Sequence, residues 1–67
     1  MTGPFLIRPG HWCGFIDGAR VDIERAGAHS WMWLVRSTGQ SGTATSTRRG
    51  LEAARDELAM LRARADQ

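Results

Sequence analysis

Three side chains carry the softer chemistry in this 67-residue chain: His11, Cys13 and His29. His11 and Cys13, two positions apart, would share one face of a strand, while His29 falls in a candidate loop. A zinc centre takes four ligands at recognisable spacings, or three and a water, and here the fourth would have to be an Asp. A catalytic thiolate needs a base and an oxyanion site. His11 offers at most the base, with no third group to orient it. The seven carboxylates are explained locally: Asp17 suits a turn, Asp22 and Glu24 an outward strand face, and Glu52, Asp56, Glu57 and Asp66 a helix and its end. No two are forced together in apolar surroundings, as acid–base catalysis would require. The glycines form neither GxGxxG nor GxxxxGK[ST], so no phosphate cradle is written in the chain. The expectation is a protein that is not an enzyme and holds no metal or cofactor.

Two further sets could bind rather than react. Trp12, Trp31 and Trp33 could stack nucleic-acid bases, but their spacing groups them with Val21, Ile23 and Val35, which makes them core. All nine basic residues are Arg, and a formal charge of +2 with a pI near 10.0 is only mildly basic. Arg20, Arg36, Arg48 and Arg49 are the candidates for phosphate contacts, the last two because they open a helix whose N-terminal N–H groups favour anions.

The elements that must position these residues centre on Trp31–Met32–Trp33–Leu34–Val35–Arg36. Two Trp and a β-branched Val without a breaker read as a strand. Its alternation sends Trp31, Trp33 and Val35 to one face and Met32, Leu34 and Arg36 to the other. Both faces begin apolar, so both want cover. Upstream, Asp17-Gly18 between two strand-like runs predicts a two-residue hairpin. Pairing Ile16 with Ala19 sets Gly14 opposite Val21 and Trp12 opposite Ile23, gathering one apolar face and leaving Cys13 and Phe15 on the other beside Arg20, Asp22 and Glu24. Residues 1–10, with Pro4 and Pro9 around Phe5-Leu6-Ile7, read as an edge strand or a flexible arm. Residues 43–46 read as a short edge strand. Leu51, Ala54, Leu58, Leu61 and Ala65 then recur at helical spacing, predicting an amphipathic helix over 48–64 with Thr47 as its N-cap.

From Trp31 to Leu61, the pattern Trp-x-Trp-x-Val, a Gly-containing turn, Ser-Gly-Thr-Ala-x-Ser-Thr and an Ala-rich helix resembles two small families. One is the YegP-like domains, of unresolved function. The other is the amino-terminal arm-binding domain of phage-type integrases, three strands and a helix whose sheet enters a DNA groove. The resemblance covers about half the chain, implies the fold, and transfers no catalytic residue from either family.

The sequence therefore predicts one α+β domain over residues 1–67: a three- to four-stranded antiparallel meander (11–46) with one C-terminal helix packed on one face. That helix can cover only the Trp face. Cys13, Phe15, Met32 and Leu34 on the opposite face are the candidate partner-binding surface, for a second copy as a homodimer or for another protein. The alternative is a DNA- or RNA-binding accessory protein of a phage or other mobile element, acting through Arg20, Arg36, Arg48 and Arg49. With one cysteine, no membrane-length apolar run and too short an apolar N-terminus for a signal peptide, a cytoplasmic protein is expected.

Overall fold

The computed structural model describes residues 1–66. Five strands precede one helix: β1 (Thr2–Arg8), β2 (His11–Ile16), β3 (Ala19–Gly27), β4 (Ser30–Val35), β5 (Ser41–Ala44) and α1 (Thr47–Ala65). The strands form a single antiparallel meander in chain order, β1-β2-β3-β4-β5. The β2–β3 hairpin turns at Asp17 (φ 49°) and Gly18 (φ 85°), the pair of positive angles that matches the right-handed twist of the flanking strands. Its register is Ile16↔Ala19, Gly14↔Val21 and Trp12↔Ile23, as the apolar sorting predicts.

Residues 1–10 resolve to an edge strand, which raises the strand count to five. β1 pairs with β2 through Thr2↔Phe15, Phe5↔Cys13, Leu6↔Trp12 and Arg8↔His11, with two breaks in register. An edge position and irregular pairing are where a proline such as Pro4, lacking an N–H, is tolerated. This strand extends the sheet sideways and does not fold over either face. β5 begins two residues earlier than predicted, pairing Ser41 with Leu34 and Ala44 with Trp31.

The helix packs on the Trp face. Its buried positions are Gly50, Leu51, Ala54 and Leu58, and they close over Ile16, Val21, Ile23, Trp33 and Val35. Two close fits set its seat. Leu51 lies so near Gly14 that a Cβ there would sit 2.7 Å from both its methyl groups, and the Trp33 ring crosses Gly42 at the same distance. The N-cap is Ser46, whose Oγ accepts the Arg49 N–H at 3.1 Å, so the cap lies one residue before the predicted Thr47. Leu61, expected in the core, is 39% exposed. Every described residue after Leu58 is exposed, because the last two turns of α1 run on past the sheet. Ala65, the last position of the predicted stripe, is exposed for the same reason.

Candidate interaction surface on the uncovered sheet face

On a twisted antiparallel sheet, residues in register across neighbouring strands share a face. The face opposite α1 therefore carries a central row, Phe5–Cys13–Asp22–Leu34–Ser41, flanked on one side by His11–Glu24–Met32–Thr43. On the other side Phe15 pairs with Arg20, and the Arg36 N–H reaches the Arg20 carbonyl at 3.2 Å. Phe5, Phe15, Met32 and Leu34 stand 46%, 37%, 48% and 40% exposed. Three of these are the predicted patch residues. Cys13, the fourth, lies on the same face but is buried, so it sits beneath the patch and offers no contact surface. Phe5 takes its place, a contribution hidden in the sequence because residues 1–10 had two readings.

The centre of this face is polar in a way the alternation alone does not reveal. Asp22 is 5% exposed, the one charged residue in the interior among the described residues. Its Oδ1 accepts from Arg20 Nη2 and contacts His11 Nε2, both at 3.1 Å, and its Oδ2 accepts from Arg36 Nε. Burial pushes the carboxyl pKa up, but hydrogen bonds from His11, Arg20 and Arg36 together outweigh it and hold Asp22 below the ordinary carboxylate value. Satisfying a buried carboxylate in this way is what makes its burial tolerable. Arg20 and Arg36, candidates for phosphate contacts, are anchored on Asp22 of their own chain. Their side chains remain 41% and 61% exposed. The signal was present: positions 20, 22 and 24 alternate onto one face, and 36 follows the strand that pairs with 22. Beside the cluster lies a shallow depression lined by Asp22, Glu24, Met32, Leu34 and Ser41.

The remaining candidates lie elsewhere. Arg48 sits 3.7 Å from Glu52 on the exposed start of α1, and Arg49 lines a shallow surface with Glu52 and Asp56. Neither is near Arg20 or Arg36 in the fold, so the four arginines do not make one surface. His29 lies in the turn between β3 and β4, away from His11 and Cys13. Among the described residues no helix is long and apolar enough to cross a membrane.

The arrangement offers a binding surface: exposed apolar side chains on either side of two guanidinium groups held by Asp22. No protein-family model matches the chain, and no curated protein or solved structure was found to match it.

Proposed function

We propose that this protein is a non-enzymatic binding module that docks through the sheet face left open by its helix, with a second copy as partner. The observation that carries this is the exposure, on one face of the sheet, of Phe5 and Phe15 on β1 and β2 and of Met32 and Leu34 on β4, two apolar clusters flanking the charged positions of β3. With about 200 Å² available to a large side chain, these leave on the order of 300 Å² of apolar surface. Burying it is worth about 7 kcal/mol per protomer at 25 cal/mol per Å², against association costs of about 4–15 kcal/mol. Counted over both protomers, about 14 kcal/mol less this cost leaves a net of zero to about 10 kcal/mol, a range that includes a micromolar dimer at about 8 kcal/mol. The lone buried cysteine supports placing the protein in a reducing compartment such as the cytoplasm.

The nucleic-acid reading draws less support. Arg20 and Arg36 are tied to Asp22, Arg48 and Arg49 have acidic neighbours, and Arg62 is held by Asp17 at 2.6 Å. A sheet entering a DNA groove would bring Asp22 and Glu24 toward phosphates.

Sedimentation equilibrium tests the reading. Wild type is expected to dimerise at micromolar concentration and to persist as a dimer in high salt, and Leu34→Glu to be a folded monomer, since a carboxylate cannot be buried unpaired. A wild type that is monomeric at several hundred micromolar, or that instead binds a DNA duplex in a strongly salt-dependent way, would sink it.

A further inference from the structure

The open face has a feature that apolar docking leaves unused. β3 is the middle strand of five, and on its open side Arg20, Asp22 and Glu24 follow one another at every second position. Asp22 turns both guanidinium groups into a fixed fork at one end of this line. At the other end Glu24 is exposed and makes no ion pair among the described residues. Resting on the docking role proposed above, we infer that the Arg20–Arg36 fork is a carboxylate-binding site whose ligand is Glu24 of a second copy, the two sheets packed face to face with strands antiparallel.

The geometry singles out this arrangement by symmetry. Arg20 and Glu24 lie about 14 Å apart at the strand rise of about 3.4 Å per residue, with Asp22 midway between them. A twofold axis running across the strands along the row Phe5–Cys13–Asp22–Leu34–Ser41 exchanges the two ends. It sets Arg20 of each copy over Glu24 of the other, twice per dimer, as a closed self-complementary interface requires. The same operation places Leu34 on Leu34, Phe5 on Phe5 and Phe15 over His11, and it sets Asp22 over Asp22, each carboxylate neutralised by its own Arg20 and Arg36. It also carries Arg36 over Met32, its guanidinium held toward β3 by Asp22. Because this axis lays every strand over its own copy, the whole width of the face overlaps. Sheets packed this way are about 10 Å apart, a gap that an Arg and a Glu span together. The other face-to-face twofold, with its axis along the strands, would stack Arg20 on Arg20 and Glu24 on Glu24, and like charges reject it. Arg8, at the β1 end of the Glu24 row, would meet the uncharged Thr2 end of the other copy.

The test is sedimentation equilibrium on wild type, Glu24→Gln, Glu24→Arg and Leu34→Glu at low and high salt, with circular dichroism melts beside it. Glu24 is exposed, so its variants are expected to fold as wild type does. Glu24→Gln, which removes two solvent-edged ion pairs per dimer, should weaken the dimer about tenfold and remove the salt dependence of what remains. Glu24→Arg should be monomeric, three guanidinium groups then meeting at each end. If both Glu24 variants dimerise as wild type does while Leu34→Glu is monomeric, the carboxylate site is wrong and the docking face stands. If wild type itself is monomeric, both fall. A dimer tightened by Glu24→Arg would also overturn the inference, since it would place an acidic group opposite that end.

Discussion

Replacing Gly14 by alanine adds a single methyl group where the helix meets the sheet. That carbon would lie 2.7 Å from both Leu51 methyls and 3.0 Å from the Thr2 carbonyl oxygen, whereas apolar atoms settle at about 3.5–4.0 Å. Neither neighbour can yield cheaply. Leu51 is among the largest fully buried side chains, and the Thr2 carbonyl belongs to the backbone of β1. Overpacking a filled core costs about 1–3 kcal/mol, and alanine's advantage over glycine in a strand returns about 0.5–1 kcal/mol. The net is a loss of about 1–2 kcal/mol, which in so small a domain lowers Tm by roughly 5–15 °C. Thermal melts must be compared at one protein concentration, because self-association raises Tm by mass action. A double-mutant cycle with Leu51→Ala sharpens the result: the truncation should cost less in the Gly14→Ala background than in wild type, since it relieves the clash. A Gly14→Ala protein that melts at or above wild type would refute this seating of the helix.

Along α1, Leu58→Ala should cost about 2–5 kcal/mol, whereas Leu61→Ala, beyond the sheet and 39% exposed, should shift the melt by only a degree or two. Equal effects at the two sites would mean that the last turns of the helix are packed. The Asp22 carboxyl has its folded pKa below its unfolded value of about 3.9, so its contribution is complete above that value and disappears as pH falls through the folded pKa. Wild type should therefore lose more stability than Asp22→Asn between pH 5 and pH 2, both followed by urea denaturation. Parallel losses would mean that the cluster on the open face adds nothing to folding.

The hairpin register, the Trp face and the helix were legible in the sequence because each rests on local periodicity. Asp17-Gly18 dictates a turn whose strands can sort their side chains in only one register, and Leu51, Ala54 and Leu58 recur at the helical period. The open face was legible for a related reason, since one helix cannot cover both sides of Trp31–Arg36. Tertiary structure decided the rest. Whether Leu61 is core depends on where the sheet ends beneath a 19-residue helix, a matter of relative lengths that periodicity does not carry. The side of the sheet joined by Phe5 depends on β1 pairing with β2 through two breaks in register, and an irregular ladder leaves no regular pattern to read. Asp22 looks like any outward strand carboxylate until His11, Arg20 and Arg36 converge on it from β2, from its own strand and from the end of β4. Sequence spacing shows which residues share a face, but only the folded sheet brings positions 11 and 36 within reach of position 22.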